Sequence, residues 1–279
     1  MATILLLTWR EAVRRRVPGI LALVALMLAL GAFLPAGGRL ALLPPEEGNR
    51  VFASLYIFFG VNIIKFFAAV LSVALAAGAL TSERERGGLT IVLSKPISRT
   101  EFYLGKWIGL VTFIVGGVAV WGVTVFVVAG LRGPGDWTVA PLKAIPALCL
   151  YPVVFVSVAL FCSSFARFPS AIGWTAVWTG IGWAEGTFFV LSHLFSIPSL
   201  RQLSVWSGFV FPIGRMSRTV ADAMGDLPGL NVLEETADGG ANGPVFGTLA
   251  NGPYDTFYVL LFALALVVAG GIWFARQDV

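Results

Sequence analysis

The chain has 279 residues, of which 57% are hydrophobic and only 12% charged, with a formal net charge of +4 and a mean hydropathy of +0.86. A water-soluble domain carries about 25% charged residues, so this chain cannot clothe a water-facing surface and must use the bilayer as part of its solvent. The same figures exclude a soluble enzyme and a disordered chain; 32 glycines without a triplet period and only two cysteines exclude collagen and a disulfide scaffold.

The fold class expected is an all-α membrane protein with six transmembrane helices. Residues 1–16 form a basic leader in which Leu5, Trp9, Ala12 and Val13 share one helical face and Arg10 and Arg14 another, which suits an amphipathic helix lying in the membrane interface. An arginine-rich leader before an apolar run also fits a signal peptide, but sixteen patterned residues favour an uncleaved first span. Apolar stretches near 17–34, 51–80, 107–130, 144–165, 171–192 and 257–275 are each long enough to approach the roughly 20 helical residues that cross a hydrocarbon core. The second is long enough to tilt or to extend beyond the bilayer. Cys149 and Cys162, thirteen residues apart in the fourth stretch, stand ~20 Å apart in a helix and cannot pair within it.

Six spans place both termini on one side, and the basic residues say which. Arg10, Arg14, Arg15, Arg16, Arg84, Arg86, Lys95, Arg99, Lys106, Arg167 and Arg276 fall on that side; the short loops opposite hold Arg39, Arg50, Arg132 and Lys143. Both ends are therefore expected in the cytoplasm. The positive charge is used for topology, so no nucleic-acid partner is expected.

The connection 193–256 is the one sizeable extracytoplasmic piece. Met216, Val220, Ala223, Met224 and Leu227 step by three and four, which predicts a short amphipathic helix, and the glycines and prolines from Gly239 to Pro253 mark an irregular loop.

Ionisable groups inside spans are costly and mark sites by default. Lys65 in the second span and Glu185 in the fifth lie at comparable depth, ~21–22 Å from the inner surface. They read either as a neutralising pair or, with Asn62, as polar stations on a path or subunit interface. Trp174, Trp178 and Gly182 step by four along the fifth span, a face suited to helix packing or to a lipid-like substrate.

The most informative stretch joins the second and third spans, 81–106. It runs Glu83-Arg84-Glu85-Arg86 into the pair Gly87-Gly88, then Leu89 and an aliphatic patch, then Ser94-Lys95-Pro96-Ile97-Ser98-Arg99 and Leu104-Gly105-Lys106. A chain reversal needs only a few polar residues. A charged helix stopped by glycine and followed by an apolar patch is instead what docking a cytosolic partner requires. The stretch resembles the signature of the membrane subunit of type-2 ABC exporters: Gly-Glu-x-Glu-x-Gly-Thr-Leu, aliphatics, Ser-Arg-Pro-x-Ser-Arg, then Leu-Gly-Lys. Glu83, Glu85, Gly87, Leu89, Ser94, Pro96, Ser98, Arg99, Leu104, Gly105 and Lys106 match; Ser82, Gly88 and Lys95 depart. The ending Phe274-Ala275-Arg276-Gln277-Asp278-Val279 is also similar, as is the pattern of the subgroup serving copper-site maturation of nitrous-oxide reductase.

The resemblance implies a permease that pairs with a second permease subunit, identical or homologous, in the inner membrane of a prokaryote. It implies a separate cytosolic ABC ATPase seated on a coupling helix made by Glu83, Arg84, Glu85, Arg86, Gly87, Gly88 and Leu89. The leader matches the family's connecting helix, and the second and fifth spans commonly line the path. ATP and magnesium belong to the partner: a phosphate loop needs Gly-x-x-x-x-Gly-Lys followed by Ser or Thr, and here the sole Gly-Lys, Gly105-Lys106, precedes Trp107. No cofactor, metal or catalytic residue is expected in this chain. Two alternatives stand beside this reading. An ion-coupled secondary transporter would use Glu185 as proton carrier; an intramembrane hydrolase would rest on His193, the sole histidine, with no Gly-x-Ser-x-Gly elbow and no second histidine for a zinc site.

Overall fold

In the computed structural model, residues 2–14, 16–33, 44–81, 98–132, 142–224 and 254–276 are described. They form helices and short connections, with no strand among them. We number the helices α1 (Ala2–Arg14), α2 (Val17–Leu30), α3 (Pro45–Ala77), α4 (Arg99–Arg132), α5 (Ala144–Phe165, with a break at Cys149), α6 (Phe168–Leu194), α7 (Pro198–Val210), α8 (Ile213–Met224) and α9 (Asp255–Arg276).

Four of these are long and apolar enough to cross a membrane: α3, Arg99–Leu131 of α4, α5 and α9. They coincide with four of the six expected stretches. The first stretch is shorter than expected. Its helix α2 has 14 residues and is prolonged by one 3-10 turn, Gly31–Phe33. The fifth is long, 27 residues in α6, but Gly173, Gly180, Gly182, Gly186, Thr175, Thr179 and Glu185 dilute its apolar character. Helix α3 starts earlier than expected, because Pro45 occupies its first turn and Glu46 and Glu47 complement the positive end of its dipole.

Helix α5 is the hub. It packs on α3, α4, α6, α8 and α9, and Val154, Val156, Val158, Ala159 and Leu160 are wholly buried. Helices α1 and α2 lie along α4, joined by Arg16, whose positive φ of 59° makes the bend. Close approach is possible because α4 offers glycines on that side. A Cβ at Gly105 would stand 2.8 Å from Ile4, at Gly109 2.8 Å from Thr8, and at Gly117 2.6 Å from Leu21, the small-residue packing usual between helices in lipid. Trp121 Nε1 then donates to the Leu21 carbonyl at 2.8 Å.

The stretch 198–224 adds something a simple loop would not. Helix α7 folds back against α6, the chain turns at Phe211-Pro212, and α8 packs on α5, α6 and α9. Phe211 is fully buried, its ring 5.2 Å from that of Phe155 and 6.1 Å from that of Phe262. Phe155 lies ~15 Å along α5 from Phe165, and Phe262 ~10 Å along α9 from Asp255. The turn is thus inserted part-way down the bundle. The expected amphipathic helix is present as α8, with Met216 and Val220 buried; Leu227 lies outside the described residues.

Candidate functional site

The expected docking helix, Glu83, Arg84, Glu85, Arg86, Gly87, Gly88 and Leu89, lies outside the described residues, as does the rest of 82–97. The structure does describe where that stretch enters α4. Ser98 and Glu101 form a reciprocal capping box: the Ser98 N–H donates to Glu101 Oε2 at 3.2 Å and the Glu101 N–H to Ser98 Oγ at 3.2 Å. This satisfies orphan donors at the helix start and fixes its first residue.

The Leu-Gly-Lys part of the signature has a physical explanation. Gly105 is the seat of Ile4, so any side chain there would push α1 away. Lys106 is 3% exposed, and its ammonium donates to Glu11 Oε2 of α1 at 3.0 Å while lying 5.8 Å above the Phe102 ring. Phe102 and Tyr103 reach the other way, onto Phe274 of α9. Helices α1, α4 and α9 are therefore clamped together one or two turns from the point where the stretch 82–97 joins α4.

At the other end of α9, the bundle holds a cluster of four charges. Glu185 of α6 accepts the backbone N–H of Gly214 on Oε2 at 3.1 Å and the Arg218 guanidinium on Oε1 at 3.4 Å. Arg218 also donates to Asp255 at 3.1 Å, and Arg215 donates to the second oxygen of Asp255 at 2.9 Å. Two acids and two arginines close on one another. Arg215 and Arg218 share a face because they are one helical turn apart, and the Arg215 guanidinium lies 4.7 Å from the Phe209 ring and 4.3 Å from the Tyr258 ring, in the corner of their edge-to-face pair. Gly214 lies in the first turn of α8, so Glu185 also meets the positive end of that helix dipole.

The non-helical turn between α7 and α8 is satisfied by side chains from its surroundings. Trp178 Nε1 donates to the Val210 carbonyl at 2.8 Å, the Tyr258 hydroxyl to the Phe209 carbonyl at 2.7 Å, and Glu185 takes the Gly214 N–H. Irregular backbone buried among apolar helices is tolerated only where protein meets its polar groups, and here three residues from two helices do so.

The structure pairs Glu185 with Arg218 and not with Lys65, although a pair with Lys65 was one of the two readings open for these residues. Equal depth along two spans was the basis for pairing them, but the folded-back pair α7–α8 brings Arg218 to Glu185 instead. Lys65 Nζ lies 5.9 Å above the Tyr151 ring of α5, whose hydroxyl hydrogen-bonds Ser217 Oγ at 2.8 Å. Lys65 has no carboxylate partner among the described residues. Asn62, one turn away, is exposed and spends one N–H on the Phe58 carbonyl at 2.8 Å. Trp178 proves to be a hydrogen-bonding support of the turn, whereas Trp174 is 59% exposed. Cys149 and Cys162 form no disulfide; the side chain of His193 lies outside the described residues.

Sequence reasoning missed the quartet. Its available signal was Arg215-x-x-Arg218 on one face of a predicted helix and an aspartate at the threshold of the last apolar run.

An all-helical bundle in which four helices are long and apolar enough to cross a membrane has the architecture of a polytopic membrane protein. The model of the ABC-2 family transporter protein matches residues 2–279, and the chain belongs to that family of ABC transporter permeases. It is a membrane transport component rather than itself a catalyst, and its family implies an ATPase partner. No curated protein matches it.

Proposed function

We propose that the chain is the permease half of an ATP-driven exporter in the inner membrane of a prokaryote. It pairs with a second permease subunit and is driven by a cytosolic ATPase docked on 83–89. In this reading α2 with its 3-10 turn is the first span and α6 the fifth, which makes six and places both termini with 81–106 in the cytoplasm. Helix α1 is the interfacial connecting helix, and α7–α8 belongs to the extracytoplasmic end. ATP and magnesium reside on the partner. The sole Gly-Lys here sits inside helix α4 with its lysine committed to Glu11, where no backbone N–H groups are free to cradle phosphate.

The observation that carries the reading is mechanical continuity. The matched signature feeds directly into a capped, unbroken 34-residue helix, Arg99–Arg132, clamped to α1 and α9 at its first turns. A force applied by an ATPase at 83–89 would travel along that shaft as a rigid-body movement rather than being lost in a flexible joint. Closure on ATP then shifts the population between conformations of the path between subunits. Helices α3 and α6 line that path, which places Lys65 and Asn62 beside it. Glu185 serves as an internal tie to Arg218 rather than as a proton carrier.

The test is affinity purification of the tagged full chain in mild detergent from cells that express the neighbouring genes. We expect a stoichiometric ABC ATPase and ATP turnover, both lost in the double variant E83K/E85K, while the permease stays in the membrane. Retention of complex and turnover in that variant would contradict docking at this loop.

A further inference from the structure

We infer that Lys65 and Asn62 on α3 form a binding station for the anionic head group of an amphiphile, a phosphate or carboxylate on an apolar tail. The inference rests on the reading of α3 as a wall of the path between subunits. Lys65 sits at the middle of the apolar run 51–77, twelve residues or ~18 Å from Ala77, too deep for the ammonium to reach water at either surface easily. A charge at that depth is costly, and the usual remedy is an opposite charge. Among the described residues that remedy is not used. The acid at comparable height, Glu185, is committed to Arg218 and to the Gly214 N–H, Asp255 is shared between Arg215 and Arg218, and Glu11 is taken by Lys106. Among the described residues, what Lys65 meets is the face of Tyr151, 5.9 Å away.

The surroundings are built for a ligand with two characters. Tyr151 is held in place by Ser217, which fixes the aromatic wall and leaves the three donors of the ammonium without a protein acceptor among the described residues. Asn62 retains a second N–H and its carbonyl on the exposed side of α3. One turn to either side of Asn62, Phe59 and Phe66 are 60% and 51% exposed. A cation and an amide donor next to a strip of exposed apolar side chains match a negative head group followed by a tail. A zwitterionic choline head would bring a second cation against Lys65, and a neutral sugar head would leave the ammonium uncompensated.

The experiment uses the full chain in phosphatidylcholine nanodiscs with dodecyl phosphate as probe and dodecylphosphocholine as control. Saturable binding of dodecyl phosphate is expected. It should weaken about tenfold in Lys65→Met, stay within about threefold in Lys65→Arg, and weaken about threefold in Asn62→Leu. Equal affinity of wild type and Lys65→Met, with unchanged thermal unfolding, would overturn the station; loss in Lys65→Arg equal to that in Lys65→Met would also overturn it, since the charge would not be what binds. Nanodiscs enriched in phosphatidylglycerol distinguish the source: competition identifies a bilayer lipid as occupant, and undiminished probe binding identifies a cargo. Both support the station. A separate readout keeps the path reading distinct. Phe66→Cys, in a background with Cys149 and Cys162 replaced by alanine, should react with a membrane-impermeant thiol reagent if α3 lines a wet path. Labelling without anion binding rejects the station and leaves the path; anion binding without labelling rejects the path and leaves a lipid site.

Discussion

The clamp at the start of α4 and the quartet at the start of α9 both hold charge among apolar helices, but they do so differently. In the clamp, a lysine side chain 4% exposed meets a glutamate 35% exposed, so one partner is dry and the other reaches water. In the quartet, Glu185, Arg218, Asp255 and Arg215 are 12%, 11%, 9% and 18% exposed, and each charge is answered inside the protein. The clamp is a joint at the edge of the structure, next to the stretch that receives the ATPase in the proposed mechanism. The quartet is a closed knot that holds an inserted turn in place. A joint must stay stiff while the helices it connects move together; a knot must keep its own members from moving apart.

The largest effect should come from opening the knot. Arg218→Ala leaves Glu185 without its counter-ion and Asp255 with one partner fewer, and breaking a buried pair in this way destabilises by about 3–5 kcal/mol. Thermal unfolding in detergent should show it, and Glu185→Gln combined with Arg218→Met should recover a large part, because a neutral isosteric pair leaves no bare charge. Additive losses in that mutant cycle would mean that the two residues do not act together.

Next comes the seat of Ile4. Gly105→Val overfills the α1–α4 contact, where even a Cβ would stand 2.8 Å from Ile4, and overpacking of this kind costs about 1–3 kcal/mol. Ile4→Ala in the same chain should relieve it; no relief would place the effect of Gly105 elsewhere. Within the clamp the two truncations should be unequal. Glu11→Gln takes a carboxylate from a buried ammonium, whereas Lys106→Met leaves a carboxylate that is 35% exposed, so the first should lower stability more, by about 1–3 kcal/mol. The reverse order would show that Glu11 is not the main support of Lys106. Smallest is Ser98→Ala, which removes half of the capping box and about 1 kcal/mol of helix-start stability; hydrogen exchange at the first turn of α4 should quicken while the rest of the helix is unchanged.

The two regions also differ in how far the chain announces them. The clamp was legible only on its α4 side, where Ser98, Gly105 and Lys106 follow one another within one helix start. Its α1 side was not, because the apolar face read from the leader runs through Leu5, Trp9, Ala12 and Val13, whereas Ile4, Thr8 and Ala12 are the residues buried. The apolar runs announced α3, α4, α5 and α9 for the same local reason. The quartet was not legible, because Glu185, Arg215, Arg218 and Asp255 come from three helices and meet only once α7 folds back on α6. Depth along a span identified Glu185 as a buried acid but could not choose its partner, since depth is one coordinate and pairing needs three. The fold-back itself was hidden, because a polar-looking stretch after a long apolar helix reads as a loop. The satisfaction of its turn depends on Trp178 and Tyr258, 80 residues apart in the chain.

The central claim is that the loop 83–89 receives the ATPase while the quartet maintains the permease. The most direct test compares E83K/E85K with Arg218→Ala in one experiment, reading ATPase co-purification and thermal unfolding side by side. The account predicts that the first variant loses the ATPase and keeps its unfolding temperature, whereas the second unfolds at lower temperature and, below that temperature, still brings the ATPase with it. An ATPase that stays bound to E83K/E85K would contradict it.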